Sequence, residues 1–394
     1  MKIAILGLRS IGPTALGGIE KVVEELSTRY VAGGHEVTVF VRARYAAGSG
    51  DEYRGVRLKA LPAVYTKHLE AITNTVIAIL YSLRGYDIVH VNALGPALLS
   101  FIPRLFGRKV FVTVHGQDWK REKWGRFASR VLRLGEWAAV TFPTRTVVVS
   151  RTLREYEKKR FGRDVLFIPN GVNPPDTNVE PRGDGRFPKD GYVLFMGRLV
   201  PEKGCHFLIR AFRSLQTDKK LVIAGAALHT DEYAAGLHRL AEGDDRIEFV
   251  GPIYEEEKDL ALRNALLFAL PSTIEGMAIV LLEAMSYGKC CLCSDIDENL
   301  EVIYPASEPG TAVAINERFL AAGDGPPDDG MRGLCFRSGD VGDLAAKLDF
   351  LIGHRAAVDA LGLAARQHVA EYHDWDRIAR LHLEAYGEAL HGDS

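Results

Sequence analysis

The fold is decided near the start of the chain, by residues 2–41, which read KIAILGLRSIGPTALGGIEKVVEELSTRYVAGGHEVTVFV. Lys2–Gly7 is a nearly all-apolar run that ends in glycine, and Glu36–Val41 is a second run of the same kind. Between them, the apolar residues of Ile19–Val31 recur at helical spacing. Apolar strands separated by helices predict a parallel sheet that is covered by helices on both faces.

The same alternation continues along the chain, stops, and starts again. Residues 173–191 are rich in Pro, Gly and Asp and predict an inter-domain linker. We therefore expect two Rossmann-like, doubly wound α/β domains, over residues 1–173 and 191–372, that face a central cleft, with a last helix at 374–390. The further predicted strands are Tyr86–Val91, Lys109–His115, Thr146–Ser150, Val165–Ile168, Tyr192–Gly197, Lys220–Gly225, Ile247–Val250, Leu266–Leu270, Lys289–Ser294 and Gly333–Phe336.

Composition predicts a globular cytoplasmic protein. The chain has 394 residues, of which 47% are hydrophobic and 25% charged, enough for two domains with full cores. The longest apolar stretch, Ala71–Leu83, is interrupted by Asn74, Thr75 and Ser82, and is shorter than the roughly 18 residues of a membrane span. The first residues enter a strand pattern at once, which is unlike a signal peptide. Either a soluble or a peripheral membrane protein fits these features.

The cysteines predict a reducing environment. There are five of them, and Cys290, Cys291 and Cys293 fall within four residues. An odd, clustered set is unlike a disulfide framework, and its spacing is unlike a metal site. We expect a buried strand in which cysteine serves as a small apolar residue.

Charge divides the chain into a basic and an acidic half. Residues 1–175 hold 27 Lys and Arg against 14 Asp and Glu, a net of +13, and the remainder carries −15. This asymmetry suggests an anionic partner such as a membrane surface, a lipid phosphate or a nucleic acid. Basic and aromatic residues interleave over Trp119–Arg133, which predicts an amphipathic helix on an anionic membrane and favours that partner over nucleic acid. A packed helix with a solvated basic face is the alternative.

Two glycines mark the first candidate for anion binding. The loop Leu8–Gly18 follows the first strand and ends in Gly17 and Gly18, where a helix begins. Glycines there let the backbone approach an anion, and the helix dipole favours negative charge. A structural turn explains them equally well. A dinucleotide site is disfavoured because the loop lacks a G-x-G-x-x-G pattern and the second strand ends in Arg42 and Arg44 rather than an acid.

Two cations mark the second candidate. Arg198 and Lys203 lie in Gly197–Gly204, after the first strand of the second domain, where doubly wound sheets bind ligands. A planar guanidinium and a compact ammonium together suit a diphosphate. Glu202 is expected to hold Lys203 in place. The alternative is a capped helix start that carries surface charges.

Two carboxylates mark the third candidate, Pro271–Met285, in which a loop after a strand leads into a helix near Ala278. Glu275 precedes this helix, and Glu283 lies inside it, roughly 8 Å along by helical rise. Carboxylates accept hydrogen bonds from hydroxyl pairs, so one is expected to hold a hexose and the other a ribose. Alternatively, Glu283 is only a helix-face residue. The diphosphate would lie between them, on the turn at Gly276 and on the free N–H groups of Met277, Ala278, Ile279 and Val280.

A histidine marks the fourth candidate. His115, followed by Gly116, ends a strand of the first domain. At that edge an imidazole could donate to a sugar hydroxyl or carry a proton. A lone histidine is also a common structural residue, so both interpretations stay open.

Together these loops resemble the retaining glycosyltransferases of family 4, which have the GT-B fold. The resemblance covers nearly the whole chain and is most specific at Glu275 and Glu283, with seven residues between them. It implies that Glu275 contacts the donor sugar and Glu283 the ribose. It also implies that Arg198 and Lys203 clamp the diphosphate.

The resemblance also implies roles outside these two motifs. Gly17 and Gly18 would close on a phosphate, His115 would lie near the reactive end of the sugar, and the backbone at Ile253 would meet the base. The helix after Trp375 would cross back onto the first domain. Arg198, Lys203, Glu275 and His115 are thus the expected catalytic residues, with no metal and no cofactor beyond a nucleotide-diphosphate sugar as donor.

A narrower likeness is to surface-polysaccharide glycosyltransferases, some of them rhamnosyltransferases. It rests on Gly17–Glu20 and His115–Arg126. It implies a role in surface-polysaccharide synthesis. With the family resemblance and the basic segment Trp119–Arg133, it predicts retaining transfer of a hexosyl group to a glycan or a lipid-linked acceptor, on the inner face of the cell membrane. The insert Pro305–Gly330 departs from the family pattern and is expected to be an exposed excursion.

Two other functions stay open at this point. A nucleotide-sugar epimerase shares the two-domain plan, and an inactive sugar-nucleotide-binding assembly protein is a third class. The segments Asp295–Asp297 and Asp374–Asp376 both match the D-x-D pattern of metal-dependent glycosyltransferases. Neither lies in the sequence context of that other fold, and short motifs recur by chance.

Overall fold

The computed structural model describes residues 1–12, 17–46, 50–66, 69–121, 124–175, 185–227, 230–304, 309–322 and 330–392. The chain forms two compact units, one of Met1–Gly171 with Trp375–Ser394 and one of Val172–Asp374. The middle of the predicted linker, residues 176–184, lies outside the described part.

The first unit is built on an eight-stranded sheet. Its strands are β1 (Lys2–Leu6), β2 (Glu36–Arg42), β3 (Glu52–Tyr53), β4 (Val56–Leu61), β5 (Ile88–Asn92), β6 (Lys109–Val114), β7 (Arg145–Val148) and β8 (Leu166–Phe167). The helices between them are α1 (Gly18–Ala32), α2 (Leu69–Ser82), α3 (Leu94–Ala97), α4 (Phe101–Leu105), α5 (Arg126–Thr141) and α6 (Arg151–Phe161). The strand order is β3-β4-β2-β1-β5-β6-β7-β8. The strand-to-strand connections that contain α2, α3, α4 and α5 all run toward the β8 side of the sheet. Since such crossovers are right-handed, these four helices lie on one face of the sheet.

The second unit is built on a six-stranded sheet with order β11-β10-β9-β12-β13-β14. Its strands are β9 (Tyr192–Met196), β10 (Lys220–Ala224), β11 (Ile247–Gly251), β12 (Leu267–Leu270), β13 (Cys290–Ser294) and β14 (Leu334–Phe336). Its helices are α7 (Cys205–Arg213), α8 (Asp231–Ala241), α9 (Glu255–Asn264), α10 (Ile279–Ser286), α11 (Asp297–Ile303), α12 (Pro309–Ala322), α13 (Val341–Gly353) and α14 (Arg355–Tyr372). All of its paired strands are parallel. Each unit is therefore a doubly wound α/β fold, as predicted.

The last helix, α15 (Trp375–His391), belongs to the first unit. It packs against α1, and Arg29 of α1 donates to the Asp376 carboxylate at 2.6 Å. Its Tyr386 is fully buried, with the ring 4.7 Å from that of Phe111 in β6. The Tyr386 hydroxyl also bonds His90 Nδ1 of β5 at 2.5 Å. The first unit thus needs this distant segment to complete its core.

Two features of the first sheet escape the sequence prediction. Strands β3 and β4 are absent from the predicted set, and β3 pairs antiparallel with β4. The sheet is therefore not wholly parallel. β4 alternates apolar and polar residues from Val56 to Leu61, and a short alternating strand at a sheet margin lacks the all-apolar run used to find the others.

The predicted helix over Trp119–Arg133 is wrong in its first half. Asp118–Lys120 form one 3₁₀ turn, and α5 begins only at Arg126, after Gly125 in extended conformation. Residues 122–123 lie outside the described part. Trp119 is held sideways against α5, because its Nε1 donates to Glu136 Oε1 at 2.8 Å and Arg133 lies over its ring at 4.4 Å.

The expectation of an exposed excursion over Pro305–Gly330 is also wrong where the structure describes it. Residues 305–308 and 323–329 lie outside the described part, but 309–322 form α12. Asn316 of α12 accepts from Tyr304 and donates to the Cys335 carbonyl, at 3.0 Å and 2.9 Å. The Pro-, Gly- and Asp-rich flanks hide the helical spacing of the residues this helix buries, Ala312, Ile315 and Phe319.

All five cysteines are free and buried, and Cys290, Cys291 and Cys293 lie in β13 as expected. No helix in the described ranges is both long and apolar enough to cross a membrane.

Candidate active site

In the second unit, two loops are joined at the carboxyl ends of the neighbouring strands β9 and β12. Thr273 N donates to the Glu202 carbonyl at 2.9 Å. Gly204 has φ +67°, and a Cβ there would lie 1.9 Å from the Pro271 carbonyl oxygen. Only glycine allows this approach. Backbone contacts therefore hold the two loops against each other independently of the side chains.

The side chains of Lys203 and Glu275 meet across this junction. Lys203 Nζ lies 2.5 Å from Glu275 Oε1, and the two side chains are only 15% and 9% exposed. The expectation that Glu202 holds Lys203 is wrong: Glu202 is buried, and its carbonyl anchors Thr273 instead. The structure thus pairs the lysine that is predicted to bind the diphosphate with the glutamate that is predicted to bind the sugar.

Arg198 lies on the same edge of this sheet. It follows β9, and its carbonyl accepts from Val200 N at 3.0 Å, which turns the chain toward Lys203. Gly225, after β10, allows the close approach of this loop, because a Cβ at Gly225 would lie 1.9 Å from the Gly197 carbonyl oxygen. Arg198 as a whole is half-buried. Arg198 and Lys203 therefore emerge from one short loop, as the diphosphate hypothesis requires.

The predicted anion-binding turn leads into α10. Gly276, Met277 and Ala278 are buried, and Ala278 is the N-cap residue in extended conformation. Alanine has no side-chain acceptor to cap the first N–H groups of a helix. The backbone N–H groups of Ile279 and Val280 therefore need an acceptor other than the N-cap side chain. The helix dipole at this end favours an anion.

Glu283 has a partner that sequence patterns miss. Its Oε1 lies 2.8 Å from Lys258 Nζ of α9, with the carboxylate 17% exposed. Lys258 stands 25 positions earlier, directly after three glutamates, and carries no local signal. Glu283 and Glu275 are therefore held by different lysines.

The predicted base-binding loop follows β11 at the same edge of the sheet. Ile253 is buried, and its neighbour Tyr254 is exposed. Gly225 N donates to the Gly251 carbonyl at 2.8 Å, which links the ends of β10 and β11. Since β11 is two strands from β9, Ile253 lies about 10 Å from the Arg198 loop in the sheet direction.

In the first unit, His115 follows β6 and is paired with Asn92, the last residue of β5. His115 Nε2 lies 3.0 Å from Asn92 Oδ1. Asn92 Nδ2 is buried with no hydrogen-bond partner in the described ranges. Asn92 escapes the sequence prediction, although the rule that selects His115, a polar residue at a strand end, selects it too.

Burial controls the protonation of His115. It lowers the pKa of His115 to about 4, against the opposing effect of the Asp118 carboxylate. The imidazole is therefore neutral at pH 7 and can donate from one nitrogen and accept at the other. It suits hydrogen bonding to a sugar hydroxyl better than charge neutralisation.

Gly17 and Gly18 open α1, with Gly17 at the N-cap. Residues 13–16 of their loop lie outside the described part. A Cβ at Gly17 would lie 2.1 Å from Glu20 Oε2, so a carboxylate covers this helix start. The earlier part of the loop is tied to the same helix, because Gly12 N donates to Glu24 Oε2 at 3.3 Å.

The two D-x-D segments have structural partners. Asp295 Oδ1 accepts from Ser338 N at 2.8 Å, and Asp376 pairs with Arg29. Among the described residues, no group of three or more His, Cys, Asp and Glu is placed to hold a metal. Metal independence itself stays a prediction.

Known proteins match the chain in both halves. The family model described as "Glycosyltransferase Family 4" matches residues 16–175, and "Glycosyl transferases group 1" matches residues 177–322. A phosphatidyl-myo-inositol mannosyltransferase of Mycobacterium tuberculosis is 32% identical over 182 residues, or 45% of this chain. That match spans about half of the relative's length, 47%.

Solved structures match over the full length. Sucrose-phosphate synthase from Thermosynechococcus elongatus superposes with a TM-score of 0.77, at 20% identity, with 100% of both chains covered. Anabaena Alr3699/HepE in complex with UDP-glucose has a TM-score of 0.76 at 17% identity, covering 98% of this chain and 100% of that one. With the two family models and the paired α/β units, these matches show that the chain belongs to the family 4 glycosyltransferases of the GT-B fold.

Proposed function

We propose that the chain is a retaining glycosyltransferase that transfers a hexosyl group from a nucleotide-diphosphate sugar to a glycan or lipid-linked acceptor. Its role would be in cell-surface polysaccharide or glycoconjugate synthesis at the inner face of the cell membrane. The observation that carries the proposal is the Lys203–Glu275 ion pair at the junction of two loops. A bound diphosphate would compete for the ammonium and free the carboxylate to accept sugar hydroxyls.

The proposed chemistry is electrostatic. Arg198, Lys203 and the start of α10 stabilise the charge that develops on the leaving diphosphate. Glu275 orients the hexose, Glu283 binds the ribose, and neutral His115 hydrogen-bonds to a sugar hydroxyl. The leaving phosphate is proposed to take the acceptor proton on the face that the nucleotide leaves, so no protein nucleophile is assigned.

A thermal-shift screen in excess EDTA tests the donor proposal. We expect one of UDP, GDP and dTDP, or a sugar derivative of it, to raise the unfolding temperature, because binding only to the folded state stabilises it. The same nucleotide sugar should support full transfer in EDTA. If no nucleotide shifts the transition, donor binding is wrong. If EDTA abolishes transfer and manganese restores it, metal independence is wrong. Interconversion of sugars without transfer would instead favour the epimerase.

The protonation of His115 gives a pH prediction. Because burial lowers its pKa to about 4, the imidazole should stay neutral from pH 8 to pH 6 and gain a proton only as pH falls further. An NMR titration of the His115 ring signals, assigned by their loss in His115→Gln, should show no midpoint near 6.5. The pH profile of kcat should lack a step there. A midpoint near 6.5 would contradict the assigned role and favour an exposed, charged imidazole.

A further inference from the structure

Helix α2 buries polar side chains and exposes large apolar ones. The three residues that interrupt its apolar sequence, Asn74, Thr75 and Ser82, are all buried. Large apolar side chains lie instead on the solvent side at helical spacing. These residues, each between 41% and 60% exposed, are Leu69, Ile72, Val76 and Leu80. A surface helix of a water-soluble protein has the opposite arrangement.

The inward polar groups of α2 are satisfied within the first unit. Thr75 Oγ1 donates to the Ala71 carbonyl and Ser82 Oγ to the Ile79 carbonyl, each at 2.7 Å. Asn74 Nδ2 donates to the Leu61 carbonyl at 3.4 Å. Each polar side chain that this orientation buries therefore makes a hydrogen bond.

Helices α4 and α5 extend the apolar surface. Leu105 at the end of α4 and Phe127 at the start of α5 are 79% and 80% exposed. The rings of Phe101 in α4 and Trp137 in α5 both pack on Phe142, at 5.4 Å and 5.1 Å, which joins the two helices. Because α2 packs against α4, and crossovers place all three helices on one sheet face, the exposed residues lie on the same side of the sheet.

The exposed large apolar residues are concentrated in one part of the chain. Of the 16 large apolar residues that are exposed in the described ranges, 13 lie between Val64 and Trp137. The three others are Tyr254, Leu363 and Tyr372, in the second unit. Singly exposed apolar residues are ordinary on protein surfaces, whereas a large contiguous set marks an interaction site.

The charge beside this surface is positive. Arg126, Arg130 and Arg133 are exposed on α5 at positions i, i+4 and i+7, on the side that carries Phe127. The acid of α5, Glu136, is fully buried. Aromatic and aliphatic side chains interleaved with arginines suit the boundary between acyl chains and anionic headgroups.

We propose that α2, α4 and α5 form a lipid-binding face that docks on an anionic bilayer. This face keeps the Arg126–Arg133 part of the predicted membrane segment Trp119–Arg133 and adds α2 and α4 to it. The inference deepens the proposed function, on which it rests for the lipid-linked acceptor, by assigning the surface that brings the first unit to that acceptor. Apolar side chains would enter the headgroup region, and the arginines of α5 would meet lipid phosphates.

Sedimentation with vesicles tests the face. The full chain should bind vesicles of 70% phosphatidylcholine and 30% phosphatidylglycerol at low salt, and bind less at high salt or to phosphatidylcholine alone. The double variant Leu105→Ser with Phe127→Ser should weaken binding by about ten-fold or more, because each side chain loses its apolar contact. Leu363→Ser, at a 59% exposed leucine of the second unit, is the matched control and should bind like the parent.

Three results would overturn the proposal: no sedimentation of the parent with anionic vesicles, equal binding by the double variant, or equal loss with Leu363→Ser. If the double variant instead disperses a dimer in analytical ultracentrifugation, the face joins two copies of the chain and the lipid assignment is wrong. Nucleotide-induced thermal shifts separate the two proposals. Vesicle binding without any nucleotide shift would leave the lipid-binding face standing while the donor proposal fails.

Discussion

Replacing Lys203 with methionine, or Glu275 with glutamine, is expected to lower kcat/KM for glycosyl transfer by about 100-fold to 1,000-fold. Lys203 supplies a positive charge for the leaving diphosphate, and Glu275 supplies the acceptor oxygens for the sugar. Each single variant should also unfold at a lower temperature, because it leaves a charge uncompensated at a largely buried position. Transfer assays at subsaturating donor and thermal unfolding measure the two effects.

Two further variants separate a role in substrate binding from a merely structural one. In Lys203→Met with Glu275→Gln, no lone charge remains, so the unfolding temperature should recover toward that of the parent while transfer stays low. Lys220 and Glu248 form an ion pair of equal length, 2.5 Å, at the opposite edge of the same sheet. Lys220→Met should therefore leave transfer within about two-fold of the parent. Full activity in both Lys203→Met and Glu275→Gln would refute the site.

Gly204→Ala is expected to destabilise the second unit by more than about 3 kcal/mol and to abolish nucleotide binding. The new Cβ would meet the Pro271 carbonyl oxygen at 1.9 Å, so the two loops must separate. Their separation breaks the contact between Lys203 and Glu275. Urea unfolding of the second unit and the nucleotide-induced thermal shift measure the loss.

Gly243→Ala is the matched control for this change. Gly243 has φ +81° and nothing within 4 Å of its would-be Cβ, so alanine there meets only the strain of a left-handed backbone. That strain costs about 1–2 kcal/mol. The excess loss in Gly204→Ala then reports on the close approach of the loops. Equal losses in the two variants would show that this approach does not hold the site together.

The sequence allows the strands and the site loops to be predicted, but not which loops meet. The apolar runs of β9 and β12 can be recognised in the sequence. The placement of Lys203 and Glu275 after the ends of these strands can be recognised as well. Their pairing depends on the two strands being neighbours in the sheet, which follows from topology rather than from local pattern. For this reason the nearest acid in sequence, Glu202, is a wrong prediction for the partner of Lys203.

Other misses have different physical causes. The contact between Lys258 and Glu283 joins two helices through tertiary packing, which no spacing rule encodes. In α2, amino-acid composition does not reveal that the polar residues face inward. A helix that buries Asn74 and Thr75 has the same apolar content as one that exposes them. Asn92 is different, since its position at the end of β5 is visible in the sequence.

The return of α15 to the first unit constrains how the nascent chain matures. Residues Val172–Asp374 are contiguous, so the second unit has all of its residues before translation ends. The first unit lacks Trp375 and Tyr386, both buried, until the second unit has been synthesised. The unit that is synthesised first is thus completed last. Its core stays incomplete for as long as the synthesis of the second unit takes.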